Sequence, residues 1–158
     1  MKNITDDIMS YHSAGEKLII SAIEVKKIYE NMYFDFMEEY DLTQNEIDVL
    51  LFLWKNEKYD TARDIAEYHH LSRSLISKSV DNLSRKGLLC IVQDRQDRRF
   101  IHLKLSSDAK EITSKLFKIE EKFYKSLQKD ISQDELKVFL SVLRKIRKNI
   151  RKEANQND

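Results

Sequence analysis

Hydrophobic and polar positions between Thr61 and Gly87 follow the period of two short helices joined by a polar turn. Thr61 is placed to cap the first helix, because Asp64 follows three residues later as in a capping box. This helix is expected to end near His70, and Ser72 then caps a second helix that Gly87 closes. The inward face of the second helix is spaced by four and three residues: Ile76, Val80 and Leu83.

The pattern then changes to the alternation that is typical of β-strands. Two such strands are predicted at Leu88–Val92 and Phe100–Leu105. The six residues of the tip between them, 94–99, include three arginines and two aspartates. Glycine or asparagine would reverse the chain more easily, so these charges indicate a function of the tip. We therefore predict a hairpin with a basic tip.

Longer helical stripes flank this region. Apolar residues recur at spacings of four and three from Lys17 to Tyr40, and again in two segments after the hairpin. Capping boxes mark three further helix starts: Thr43 with Glu46, Asp108 with Glu111 and Ser132 with Glu135. The chain has no proline and only two glycines in 158 residues, which suits uninterrupted helices. The predicted fold is mainly α with a small β-hairpin wing.

The outward face of the second short helix carries small and basic side chains on its first turns. They are Ser72, Arg73, Ser74, Ser77 and Lys78. Small hydroxyl groups let a helix approach the floor of the DNA major groove, while Arg and Lys reach base edges or phosphates. An ordinary solvated helix face is the alternative for this pattern taken alone.

The charged residues of the hairpin tip suit the minor groove. Its negative potential attracts guanidinium groups, and a carboxylate can hold one extended through a bidentate pair. The candidate residues are Arg95, Asp97, Arg98 and Arg99. A solvated charged loop is the alternative for the tip considered alone.

Charge is distributed unevenly along the chain, although the formal net charge is only +1. Residues 1–60 carry 6 basic and 13 acidic side chains, whereas residues 61–105 carry 9 and 5. Residues 106–158 carry 13 basic and 9 acidic side chains. A nearly neutral protein can therefore present a positive surface to phosphates, and the predicted hairpin region has that excess.

Several of these segments together resemble the MarR family of winged helix-turn-helix transcriptional regulators. They are residues 64–66, 71–77, 83–88 and 94–99, with Leu103–Ser106 extending the match. The Asp-x-x-Asp-Arg-Arg pattern of the tip is the most specific of these motifs, and the resemblance covers nearly the whole chain. It implies that Ser72–Lys86 is the recognition helix and that Asp97 with Arg99 shapes the wing.

The sequence departs from the family pattern at two positions. His70 stands where the family often has glycine, although histidine tolerates positive φ better than most residues. Arg95 stands where many members have proline, which makes the wing more basic and less rigid. Neither change removes a contact that DNA binding requires.

The expected organisation has three parts: an N-terminal dimerisation helix region at 1–40, a winged helix-turn-helix domain at 41–105, and C-terminal dimerisation helices at 106–158. Second apolar stripes such as Val138 and Val142 would be left in water on a monomer, which favours a homodimer. A helical bundle closed within one chain is the alternative. Two-fold symmetry predicts a palindromic operator in double-stranded DNA. The resemblance implies a repressor released by a small amphipathic or aromatic ligand.

Other functions find little support in the sequence. There is no glycine-rich phosphate loop or nucleophile elbow, so we expect no enzyme, no catalytic residue and no cofactor. No pair among the histidines is spaced i, i+4, so no metal site is expected: His12, His69, His70 and His102. A winged helix that binds an acidic protein partner is the serious competitor.

Cys90 is the only cysteine and lies within a predicted strand, where we expect a buried, inert thiol. A redox-sensing regulator acting through Cys90 is the alternative. The first twenty residues lack a signal-peptide pattern, and no stretch has the length and apolarity of a membrane span. A soluble, cytoplasmic protein without membrane contact is expected. One set of aromatic side chains either lines a ligand cleft or belongs to the core: Tyr29, Tyr33, Phe34, Phe36, Tyr40 and Trp54.

Overall fold

The computed structural model describes residues 13–154, so His12 lies outside the described residues. Within this range the chain forms seven helices and one antiparallel hairpin. In chain order the elements are α1 (Ala14–Asn31), α2 (Phe34–Tyr40), α3 (Gln44–Lys55), α4 (Ala62–His69), α5 (Arg73–Arg85), β1 (Leu89–Gln93), β2 (Ile101–Leu105), α6 (Ser107–Leu127) and α7 (Gln133–Ala154). The predicted mainly α fold with a hairpin wing is confirmed.

The chain divides into two compact units, one ending at Glu121 and the other beginning at Lys122. In the first unit, α3 is the centre of the core, since seven of its twelve residues are buried. Ile65 of α4 and Ile76 and Leu83 of α5 are fully buried in the same cluster. In the second unit, no described residue of α7 is buried. Among the described residues, no helix has both the length and the apolarity to cross a membrane.

Both short helices begin as the sequence predicts. The Thr61 hydroxyl accepts the Asp64 backbone N–H at 3.2 Å, and the Asp64 carboxylate accepts the Thr61 N–H at 3.1 Å. The Ser72 hydroxyl accepts the Leu75 N–H at 3.3 Å. The predicted capping boxes at Thr43 and at Ser132 are also present. These side chains satisfy N–H groups that a helix start leaves without an intrahelical acceptor.

The end of α5 is closed by Gly87, also as predicted. Its φ is +71°, and the Leu88 N–H reaches back to the Leu83 carbonyl at 2.9 Å while the Gly87 N–H bonds to Ser84 at 3.0 Å. This is the Schellman arrangement, in which a left-handed residue satisfies the last carbonyls of a helix. This turn therefore ends α5 and leads the chain into β1.

His70 ends α4 in the left-handed region, at φ 54° and ψ 37°. This confirms that a residue other than glycine occupies positive φ at this turn. Because an L-side chain is disfavoured there, we expect His70→Gly to raise the free energy of unfolding by about 0.5 kcal/mol. We expect His70→Val to lower it by about 1 kcal/mol or more. Urea titration of both variants tests this, and a loss of stability in His70→Gly would contradict the conformational explanation.

The single helix predicted from Lys17 to Tyr40 is wrong, because the chain breaks between Asn31 and Phe34. Tyr33 leaves the helical region with φ −99° and ψ 1°, and it becomes fully buried with Phe36 close behind. Phe34, an apolar residue of the same stretch, is exposed. Burying two large aromatic side chains outweighs the backbone hydrogen bonds lost at the break.

Two smaller predictions are also corrected. The capping box expected at Asp108 does not form, because the helix begins two residues earlier, at Ser107, and the Ser106 hydroxyl accepts the Ala109 N–H at 3.1 Å. Cys90 is exposed rather than buried. The hairpin has two strands and covers the core with Leu89 and Leu103, so the side chain of Cys90 falls on its outer face.

Candidate nucleic-acid interface

Helix α5 presents two chemically different faces. Ile76, Val80 and Leu83 are buried against the core. All five predicted groove-facing residues are exposed: Ser72, Arg73, Ser74, Ser77 and Lys78. No ion pair joins Arg73 or Lys78 to another of the described residues. Their charges are thus available to an anionic surface, while the other face fixes the helix on the domain.

The serines of this face differ in what they do. The Ser72 hydroxyl caps the helix and lies 3.1 Å from the Ser74 hydroxyl, so this pair already has local partners. Ser79, one turn further along, is buried and donates to the Leu75 carbonyl at 3.1 Å. The Ser77 hydroxyl makes no hydrogen bond to another described residue, and Ser77 lies one helical turn after Arg73. Ser77 is therefore the hydroxyl of this face that is best placed for an external partner.

The wing tip is an ordered loop built around Asp94. One carboxylate oxygen of Asp94 accepts the backbone N–H groups of Gln96 and Asp97, both at 2.7 Å. The loop is closed by hydrogen bonds from the Asp94 N–H to Phe100 and from the Phe100 N–H to Asp97, both at 3.0 Å. The N–H groups of Asp97 and Gln96 lower the pKa of Asp94, and its hydrogen bond with His102 lowers it further. The ionised carboxylate therefore holds the loop in one conformation.

Asp97 orients Arg99 in the manner that the sequence suggests. The Arg99 Nη2 lies 2.7 Å from one Asp97 oxygen and the Arg99 Nε lies 3.0 Å from the other. The Arg99 side chain is 87% exposed, so the pair extends the guanidinium into solvent rather than burying it. This hydrogen bonding lowers the pKa of Asp97 and raises that of Arg99. Arg95 and Arg98 are exposed on the same loop.

Helix α5 and the wing form two walls of one cleft of about 390 Å³. Ser77 and Asp81 of α5 line one wall, and Arg99 and Phe100 of the wing line the other. The structure therefore brings the predicted helix residue Ser77 and the predicted wing residue Arg99 to the same surface. Arg95 and Arg98 do not line this cleft and lie at the tip of the loop.

A cluster at the base of the wing was not predicted from the sequence. Asp60 precedes the cap of α4, and its carboxylate accepts from His102 Nδ1 at 2.6 Å and from Lys104 Nζ. His102 Nε2 lies 3.2 Å from Asp94. Burial acts to raise the pKa of Asp60, but the hydrogen bonds from His102 and Lys104 outweigh it and the net pKa is lowered. Hydrogen bonds to Asp60 and then Asp94 raise the pKa of His102.

The aromatic set and the candidate metal ligands do not form a second site with the geometry of the helix and wing. Tyr33 and Phe36 of the aromatic set are core residues, and Phe36 stacks on Tyr40 with ring centroids 4.3 Å apart. Trp54 lines a separate cleft of about 550 Å³ beside Lys110. Within residues 13–154, no three histidine, cysteine or carboxylate side chains gather in a metal-binding arrangement.

Comparison with known proteins finds the same architecture. Residues 40–99 match the model of the MarR family. A relative from Bacillus subtilis strain 168, the uncharacterized HTH-type transcriptional regulator YwaE, is 24% identical over 125 residues, which are 79% of this chain and 72% of YwaE.

Three solved structures cover most of the described chain. The transcriptional regulator PA3341 is 20% identical with a TM-score of 0.75, covering 89% of this chain and 99% of that one. The Staphylococcus aureus MepR–DNA complex is 19% identical with a TM-score of 0.70, covering 87% and 98%. The organohalide-sensing regulator RdhR-CbdbA1625, bound to 2,4-dichlorophenol, is 18% identical with a TM-score of 0.66, covering 89% and 83%. At these identities the matches establish the fold, which is that of a winged helix.

Proposed function

We propose that this winged-helix chain is a DNA-binding transcriptional regulator of the MarR family that reads an inverted repeat as a homodimer. The observation that carries the proposal is the shared cleft of Ser77 and Arg99. The helix that supplies Ser77 would enter the major groove, and Arg99 would enter the neighbouring minor groove. The solved MepR–DNA complex, which has the same fold, supports DNA binding by this chain.

The proposed DNA contacts are of two kinds, to base edges and to phosphates. Arg73 and Ser77 on α5 are placed to meet base edges, since they face outward on its first two turns. Lys78, Arg95 and Arg98 are exposed cations suited to phosphates, which fix register without reading sequence. Asp97 would act through Arg99 by keeping the guanidinium extended.

The homodimer is proposed from apolar faces that one chain leaves exposed. Helix α1 has no buried residue, and Ile19 and Ile23 are each 62% exposed. In the second unit, α7 exposes Val138, Phe139 and Leu140 to more than half of their surface. Faces of this kind are unusual on monomers, and a second copy would cover them around a two-fold axis. The half-sites of the operator would then lie about 10 bp apart, centre to centre.

Release by a small ligand completes the proposal. The two winged helix-turn-helix domains of a dimer can lie at different distances from each other. A compound that binds more tightly to the dimer at one of these distances shifts the population toward it. The structure of RdhR-CbdbA1625 in its 2,4-dichlorophenol-bound form supports an aromatic effector for this chain as well. Repression relieved by such a ligand, in the cytoplasm where the chromosome lies, is the regulation we propose.

The test is a selection of bound duplexes from a random DNA pool, combined with light scattering of the purified protein. We expect an enriched inverted repeat and the mass of two chains, because a two-fold dimer presents two equivalent DNA-binding domains. Recovery of sequences without symmetry, or a single-chain mass at micromolar concentration, would refute the dimeric operator model. Failure to retain any duplex at low salt would refute DNA binding itself.

A further inference from the structure

His102 sits between two carboxylates that belong to different parts of the first unit. Its Nδ1 lies 2.6 Å from Asp60, and its Nε2 lies 3.2 Å from Asp94. An ionised carboxylate only accepts hydrogen bonds, so each of these contacts requires a proton on the facing ring nitrogen. A neutral imidazole has one such proton and would turn a lone pair toward the other carboxylate. The geometry therefore fits the imidazolium form.

The two carboxylates connect the helix-turn-helix to the wing tip. Asp60 is fixed next to the start of α4, and its backbone carbonyl also accepts the Leu103 N–H at 2.8 Å. Asp94 organises the tip loop by accepting the N–H groups of Gln96 and Asp97. Asp97 in turn holds Arg99. Protonated His102 thus connects Asp60, next to the start of α4, to Asp94 in the tip loop. Asp94 in turn binds the backbone of Asp97, whose side chain holds Arg99.

We propose that His102 is a positioning residue for DNA binding: its imidazolium holds the wing tip against the helix-turn-helix, and loss of its proton releases the tip and weakens operator binding. This inference rests on the proposed function for its effect on DNA. Its structural half, the coupling of His102 to the tip loop, concerns the free protein alone.

The charged groups around His102 determine which contact is lost. Asp60 and Asp94 face the ring, and Lys104 shares Asp60 with it from the same strand. On deprotonation the ring keeps one N–H, while Asp60 keeps Lys104 as a partner. The contact to Asp94 is the longer of the two and has no such support. The tip loop is therefore the part that separates.

The direction of the pH dependence follows from the raised pKa of His102. A histidine whose pKa is higher with its partners than without them is stabilising while protonated, and that contribution disappears as the pH rises through the raised value. Binding is therefore expected to be tighter at about pH 6 than at about pH 8.5, because a larger fraction of His102 is protonated at the lower pH.

The structural half is tested by NMR on the free protein. We expect the His102 ring to titrate above the ordinary histidine value of about 6.5, and the amide signals of Gln96 and Asp97 to shift with the same midpoint. Asp94→Asn keeps an oxygen for the loop amides but removes the charge facing the ring, so it is expected to lower the pKa of His102. A His102 that titrates at or below the ordinary value, or loop amides indifferent to it, overturns the proposal.

The functional half is tested by measuring duplex affinity across this pH range at constant salt. We expect His102→Gln to bind about fivefold more weakly than the wild type near pH 6 and equally near pH 8.5, because only the charged ring makes both hydrogen bonds. His70→Asn is the matched control, since it removes another imidazole and asparagine tolerates positive φ. It is expected to keep the pH dependence of the wild type.

The two proposals fail in different ways. Identical pH profiles for the wild type and His102→Gln, with binding intact, overturn the role of His102 and leave the regulator model standing. A wild type that binds no duplex at any pH overturns the regulator model together with the effect of His102 on DNA. The NMR result then still decides whether His102 holds the wing tip.

Discussion

Replacing Arg99 by alanine is expected to weaken binding to every duplex sequence by roughly ten- to a hundredfold, measured by fluorescence anisotropy at fixed salt. The guanidinium is extended from the wing by its contacts to Asp97 and is almost fully exposed. The free protein therefore already has the side-chain conformation that the proposed minor-groove contact requires. Minor-groove readout depends on groove potential and width more than on base identity. The loss should therefore be similar for specific and random duplexes.

Further variants separate the geometry of Arg99 from its charge, and affinity from sequence preference. Arg99→Lys keeps the charge but lacks the planar fork that pairs with Asp97, so we expect it to recover only part of the affinity. Lys129→Ala removes one exposed charge from the turn after α6, and it should bind like the wild type. Changes at Arg73 or Ser77 should instead alter sequence preference. Unchanged affinity in Arg99→Ala would exclude the wing from the interface and favour a protein-binding role for this surface.

The elements whose ends depend on local chemistry were predictable from the sequence. The cap at Ser72 and the left-handed closure at Gly87 use hydrogen bonds between residues at most five positions apart. The pairing of Asp97 with Arg99 is equally local, since it spans two residues. Periodicity also identified the buried stripe of α5, because one face of that helix packs on the core along its whole length.

Features that depend on tertiary packing were not predictable in the same way. The spacing of apolar residues in the sequence does not change at the break before Phe34. The break follows from tertiary packing, because Tyr33 and Phe36 are buried in the core. Cys90 has apolar neighbours in sequence, yet a two-stranded hairpin has only one face to bury. The partners Asp60 and His102 are 42 positions apart, so no local motif connects them. A histidine in a strand beside a charged loop was the only signal available.

A second large effect is expected in the core of the first unit, at the ion pair between Lys55 and Glu120. Glu120 of α6 is 2% exposed, and Lys55 at the end of α3 reaches it from a partly exposed position. The Tyr29 hydroxyl of α1 lies 3.4 Å from the same carboxylate. Three helices that are distant in sequence are thus joined at one buried charge.

Lys55→Met is expected to lower the free energy of unfolding by about 2–3 kcal/mol, because it leaves the buried carboxylate without its cation. This figure is below that of a fully buried pair, since Lys55 is one-third exposed and solvent screens its charge. Glu120→Gln removes the charge together with its desolvation cost, so a smaller loss of about 1 kcal/mol is expected. The double variant Lys55→Met/Glu120→Leu should recover most of the stability, because two apolar side chains need no partner. Urea titrations with unchanged m-values would measure all three, and a double variant no more stable than Lys55→Met would show that packing, rather than the buried charge, causes the loss.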